Sequence, residues 1–215
     1  MEKIKKILLI SKDEKNSNLI LNKLDESGHE IYPVQQDFSF CFSVLDDDFD
    51  AIISDYIPTV EETETIKKYV IEKKISGSFI MINPVICDNH SDNSHLKKVK
   101  ELCLFADIIT PTYEEALKLS NLSYKEECEE KDIEVLVFKL NSFGMAHKIV
   151  IPAIKIKGRG ICTVVSEFGE FELVDNNDKD AFALEFHKKY IALMLNELLS
   201  GKNIVDAVNN INVKN

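Results

Sequence analysis

The sequence predicts an α/β fold in which helices cover a mostly parallel central sheet. Short β-rich apolar runs alternate along the chain with amphipathic helical stretches, the order that a parallel sheet with helical crossovers requires. At 215 residues the chain suits one compact domain spanning residues 1–215, a length at which folding hides roughly 70% of the surface of the unfolded chain. No disulfide or metal is needed to hold such a core together.

The elements follow in order. KILLIS at residues 6–11 reads as the first strand, and residues 18–27 as a helix stopped by Gly28. EIYPV, DAIIS and SFIMIN supply the next strands. Between the last two, Thr59 and Glu62 form a capping box that opens a helix with Ile66, Tyr69 and Val70 on one face. A second box follows at Thr112 and Glu115. Beyond the acidic stretch 125–132, VLVFKL at residues 135–140 reads as a strand, and KIVIPAIKI and ICTVVS as a β-meander beside the parallel core. From Asp180 the chain turns helical, with Phe182, Phe186, Tyr190 and Leu193 lining one face and Gly201 as the stop. A short helix at residues 204–210 ends the fold. No repeat, low-complexity linker or domain boundary is visible.

Composition excludes several functions. A net charge of −11 and a pI near 5 argue against nucleic acid, whose phosphates are bound by clustered Lys and Arg. No apolar run approaches the roughly 20 residues that span a bilayer, so no membrane partner is expected. The opening MEKIKKILLI carries no cleavage-like site, which reads as a first strand in a cytoplasmic protein. Five cysteines with no CxxC pair fit reduced, mostly buried thiols. The histidines make no zinc-binding spacing, and His90 and His95 read as polar loop residues.

Several acids could carry chemistry. Asp180 stands near a helix N-terminus, where an acid favours capping and the macrodipole. Glu115 is explained equally well as half of a capping box. Asp88 lies just beyond a buried strand, at the carboxyl edge where open α/β sheets place ligands.

Three ordered segments carry a family resemblance: Asp55 to Glu61 with Ile82 to Asn89 (INPVICDN), ADIITPTYEEA at residues 106–116, and VDNNDKDAFA at residues 174–183 with its following helix and the trailing SGKNIVDAVNNIN. Together they resemble the pyridoxal kinase branch of the ribokinase-like superfamily. The resemblance implies a three-layer α/β/α sheet fold and ATP-dependent phosphorylation of the 5′-hydroxymethyl group of pyridoxal or a related B6 vitamer, with magnesium. It implies Asp180 as catalytic base, Asn177 and Lys179 at the two glycine places of the phosphate turn, Thr110 near the phosphates, and Asp88 and Glu115 toward the metal. Asn83 replaces the first acid of the Asp-Pro-Val motif and Thr112 the asparagine. Lys139 and Leu140 stand where small hydroxyl residues contact the nucleotide. The segment that folds over the vitamin is cut short at residues 35–48.

Glycine in such a turn permits positive φ and close approach of backbone amides to phosphate. Asn reaches that region at modest cost, whereas Lys179 would meet its own Cβ. Losing one preorganised donor of this kind typically costs roughly 10² to 10³ in rate. The expectation is therefore a pyridoxal kinase-like protein with weak or lost turnover, using Mg²⁺ and ATP if active and no cofactor otherwise. It would bind a B6 vitamer or another small ligand, or serve as a non-catalytic partner subunit, and would pair as a homodimer. Residues 6–120 also look like a receiver domain of two-component signalling, with Asp55 as phosphoacceptor and Asp13 and Glu14 for magnesium, although Thr110 stands where a lysine is expected.

Overall fold

The computed structural model describes residues 4–45, 48–55, 59–86 and 93–214. In chain order the elements are β1 (Lys6–Ile10), α1 (Glu14–Asp25), β2 (Glu30–Val34), α2 (Phe38–Val44), β3 (Ala51–Ser54), α3 (Val60–Ile75), β4 (Phe79–Ile82) and α4 (Asn93–Cys103). They continue with β5 (Ile108–Ile109), α5 (Tyr113–Ser120), α6 (Glu130–Ser142), β6 (Lys148–Ile156), β7 (Gly160–Glu167), β8 (Glu170–Asp175), α7 (Leu184–Leu199) and α8 (Ile204–Lys214).

The strands form one eight-stranded sheet in the order β2-β1-β3-β4-β5-β6-β7-β8. Pairing is parallel from β2 through β6, and β7 and β8 add an antiparallel meander. Successive strand residues face opposite sides. Leu8, Ile10, Ile52, Ile80, Ile82 and Ile109 therefore pack in one core with α2 to α6. Ile7, Leu9, Ile53, Met81, Ile108 and Val150 pack in the other with α1, α7 and α8. Helices thus cover both faces, giving the three-layer α/β/α arrangement.

Local chemistry sets the element ends. β5 stops after two residues because Thr110 is followed by Pro111, which has no amide to donate to a ladder. β6 tolerates Pro152 inside the sheet because the register against β7 slips between Ile151 and Ile154, a bulge that frees the residue from pairing. α7 ends in a Schellman pattern: Gly201 takes φ +90°, its amide donates to Leu198 O, and Lys202 donates to Glu197 O.

Some sequence expectations change. VLVFKL is not a strand but the middle of α6, since Ile133, Leu136, Val137 and Leu140 recur at helical spacing and all are buried. The β-branched and aromatic Val135, Val137 and Phe138 mimic a strand. α1 begins one turn earlier than residue 18, at Glu14. α7 begins at Leu184 rather than Asp180, so Phe182 lies outside it and is exposed. His95 is buried on α4 instead of in a loop, while His90 lies outside the described residues.

Candidate functional site

Four parallel strands run out on one rim in polar residues. Ser11 follows β1, Asp55 follows β3, Asn83 follows β4 and Thr110 follows β5. Each extends the ladder by one bond, their amides donating to Val34 O, Ile10 O, Ser54 O and Ile82 O respectively at 2.8–3.1 Å. Leu9, Ile53, Met81 and Ile108, two residues back in each case, pack on the α7 side of the sheet. Strand alternation consequently turns all four polar side chains toward α7. All four are buried.

The charge in this row is Asp55, and it is fully satisfied. Its Oδ1 accepts from Asn83 Nδ2 at 2.6 Å and from Lys188 Nζ at 2.5 Å, and its Oδ2 accepts from Ser11 Oγ at 3.3 Å. Side-chain exposure is 2% for Lys188 and 0% for Asp55, so each charge is tolerated only because the other is there. Lys188 shares its side of α7 with Ile191 and Leu195, both fully buried.

His187, the preceding residue on α7, meets the next strand. Its Nε2 is 3.0 Å from Thr110 O, and since a carbonyl only accepts, that nitrogen carries the proton. Burial first, and then the positive charge of Lys188, push the imidazole down to about 4, so it is neutral at ordinary pH. Its Nδ1, together with Thr110 Oγ1 and Asn83 Oδ1, is buried with no hydrogen-bond partner among the described residues.

Glu115 sits close to this row from the other side. Its amide donates to Thr112 Oγ1 at 3.3 Å, and Thr112 N donates to its Oε2 at 2.8 Å, completing the capping box of α5. Burial raises the carboxyl above its usual range, opposed by the Thr112 bonds and by Lys188. Thr59 caps α3 through Glu62 N, but there Glu62 bonds the Thr59 hydroxyl rather than its amide, so the reciprocal box is incomplete.

The segment from Asn176 to Ala183 is a chain of tight turns. Asn176 Nδ2 donates to Pro152 O, the Asp178 amide donates to Asn176 Oδ1, the Asp180 amide donates to Asp178 Oδ1, and the Ala183 amide donates to Asp180 O. The non-glycine residues with positive φ among those described are Asp37, Asn121 and Phe168. Neither Asn177 nor Lys179 adopts the left-handed conformation that glycines in a phosphate turn would supply. Side-chain oxygens of Asn176 and Asp178 organise the turn instead. Asn177, Lys179 and Asp180 are all exposed.

Two cavities flank this segment. One, about 410 Å³, is lined by Thr112, Tyr113, Tyr124, Pro152, Phe182 and His187 among others. The other, about 790 Å³, is an outer groove between α1, α7 and α8, and Asp178 and Asp180 line it with Lys23, Glu26 and Lys189. Asp180 thus lines the outer groove, while Thr112 and His187 line the inner cavity.

Of the residues singled out from sequence, Asn83 and Thr110 meet on the rim, with Thr112 and Glu115 adjoining as a cap. Asp180, Asn177 and Lys179 stand on the neighbouring turn, and Asp88 lies outside the described residues. Lys139 and Leu140 are on α6, with Leu140 buried in the core facing α2 to α6; the misplaced strand explains that misassignment. The residues at the bulged strand beside the inner cavity are Pro152 and Ala153. Sequence reading missed Lys188 and His187. Their signal was spacing: Lys188 stands three residues before Ile191 and seven before Leu195, on the apolar stripe of its helix.

No protein-family model matches the sequence, and no curated protein sequence matches it. Solved structures do. A protein from Bacteroides thetaiotaomicron assigned as a phosphomethylpyrimidine kinase, solved with pyridoxal, superposes with a TM-score of 0.84 at 17% identity, covering 98% of this chain and 86% of that one. Bacillus subtilis pyridoxal kinase, solved as an ADP complex, gives 0.75 at 20% identity over 99% and 89%. Staphylococcus aureus pyridoxal kinase, in complex with pyridoxal, gives 0.73 at 17% over 96% and 84%. With one sheet flanked by helices on both faces and these superpositions over nearly its whole length, the chain has the ribokinase-like fold of pyridoxal and phosphomethylpyrimidine kinases.

Proposed function

We propose that this chain is a one-domain, cytoplasmic pyridoxal kinase-like protein that binds a small molecule of the B6 vitamer class and has weak or no phosphotransferase activity. The reaction of its ancestry is phosphoryl transfer from ATP to the 5′-hydroxymethyl group of pyridoxal. The observation that carries the reading is the turn at residues 176–183, which contains no left-handed residue and turns Asp180 toward the outer groove. General-base catalysis needs the base within hydrogen-bond reach of the hydroxyl that attacks. Phosphoryl transfer in addition needs donors preorganised around the phosphate. A turn held by Asn176 and Asp178 side chains, without a left-handed residue, supports weak or absent turnover on both counts.

Magnesium would supply countercharge to the nucleotide phosphates in such a reaction, and the described residues do not fit it. Glu115 is committed to Thr112, burial favours its neutral form, and no group of three or more His, Cys, Asp or Glu among the described residues could hold a metal ion. The inner cavity, with two tyrosines, Phe182 and the neutral His187, suits an uncharged or weakly charged aromatic ring better than a triphosphate.

A partner-subunit role, including a homodimer, is favoured by α6, where Val135 and Phe138 are exposed, the latter at 70%. The receiver reading gains from the β2-β1-β3-β4-β5 order of the first five strands, which is that of doubly wound folds. It loses because Asp55, its phosphoacceptor, is buried and bonded to three donors. The test is pyridoxal with Mg·ATP, run beside an active pyridoxal kinase. Little or no pyridoxal phosphate is expected; robust turnover that vanishes in Asp180→Ala would overturn the proposal.

A further inference from the structure

The rim holds four oxygen-bearing side chains in sheet order on one face: the Ser11 hydroxyl, the Asp55 carboxylate, the Asn83 amide and the Thr110 hydroxyl. Adjacent parallel strands lie about 4.8 Å apart. A single cation above neighbouring strand ends is therefore within reach of two or three of them. Oxygen sets of this kind, with one carboxylate, suit hard divalent ions rather than zinc. Two of the oxygens, Asn83 Oδ1 and Thr110 Oγ1, are buried without a partner among the described residues. One positive charge is present there, and it comes from the chain itself: Lys188 Nζ on Asp55 Oδ1.

We infer that Lys188 occupies the position of a divalent cation at this rim, acting as a built-in countercharge that makes the folded protein indifferent to magnesium. The Asp55 side chain is fully buried and must be neutralised by a neighbour. An ammonium on a four-carbon stem delivers one charge through three donors and cannot use the oxygen lone pairs of Asn83 and Thr110 unless it points at them. Lys188 bonds Asp55, so those two oxygens remain unused and open to an ion that carries its charge above the strand ends. The buried Glu115 adjoins Lys188 closely enough for the two charges to interact. Removing the ammonium would leave Asp55 without its countercharge and near enough to Glu115 for the two carboxyls to interact.

The test is the melting temperature of the whole protein as a function of MgCl₂, MnCl₂ or CaCl₂, with NaCl matched for ionic strength. It needs no substrate, so its outcome is independent of whether the chain is a kinase. The wild-type midpoint is expected to stay flat. Lys188→Ala is expected to melt lower and to recover by about 5 °C when a divalent ion well above its Kd is added. Asp55→Asn/Lys188→Met, which removes both charges and keeps most of the volume, is expected to fold and to show no divalent response. A divalent-dependent rise in the wild type comparable to that in Lys188→Ala would overturn the inference. So would a folded Lys188→Ala that ignores all three ions, or one that never folds at any cation concentration while the double variant does.

Discussion

Lys188 of the rim stands eight residues after Asp180 of the turn, yet the two regions handle polarity in opposite ways. On the rim Asp55, Asn83, Thr110 and Lys188 are buried, and the charges are cancelled from within. On the turn Asn177, Lys179 and Asp180 are exposed, and water solvates them. A buried charge is constrained by its partner, so its loss is expensive. An exposed charge is free to vary, so the residues that most resemble a catalytic motif are those least fixed by the fold. Structural cost is therefore expected to be highest at Lys188 and lowest at Asp180.

The largest effect should come from Lys188→Ala without added divalent ions. Removing one partner of a buried pair strands the other, a loss of about 3–5 kcal/mol. Urea unfolding should register it as a lower midpoint with little change in slope. A loss below about 1 kcal/mol would mean that water reaches Asp55 and that the contrast between rim and turn is false.

Next comes pH, through His187. Its folded value of about 4 lies below the usual 6.5. Between those values the unfolded chain binds a proton that the folded chain refuses, so stability falls as pH drops from 6.5 to 4 and levels off below. The full window is worth roughly 3 kcal/mol. Glu115 acts in the opposite sense: its raised value means the unfolded chain ionises first, so it removes stability as pH rises above 4.5. Comparing wild type with His187→Gln isolates the imidazole, because glutamine retains a donor for Thr110 O. Parallel pH profiles for the two proteins would contradict a neutral buried ring.

Thr112→Ala tests the cap beside the rim. Loss of the hydroxyl that accepts from Glu115 N should cost about 1 kcal/mol in thermal or urea unfolding. A much greater loss would indicate that Thr112 also restrains Glu115 against the rim charges.

Legibility in the sequence followed the same division. The buried strands were readable because their short Ile-rich runs are bounded by polar and turn residues, and Thr112 with Glu115 announced a cap that the structure completes. α6 was misread because Val135, Val137 and Phe138 favour strands locally, while the deciding signal, Ile133 with Leu136, Val137 and Leu140, is a helical period spread over eight residues. The rim acid Asp55 was visible, but its partner is 133 positions away, and only packing of α7 on the sheet brings them together. Asp180 drew attention because motif spacing survives in sequence even where backbone conformation does not. That neither Asn177 nor Lys179 is left-handed is a matter of φ, which residue type constrains without dictating.

The smallest structural effect is expected at Asp180. Its side chain is exposed, and the turn uses its backbone amide and carbonyl rather than its carboxylate. Asp180→Ala should change stability by less than about 0.5 kcal/mol. The same variant sharpens the functional side of the comparison. With net charge −11 and no left-handed amide cradle, Mg·ATP should bind more weakly than millimolar, about −4 kcal/mol or less favourable. Calorimetry with Mg·ATP and separately with pyridoxal, on wild type and Asp180→Ala, distinguishes the cases. Weak nucleotide binding unaffected by the substitution, beside measurable pyridoxal binding, is the expected pattern. Micromolar nucleotide affinity lost in Asp180→Ala would mean that the turn rearranges around phosphate and that exposure in the free protein is a poor guide to its role.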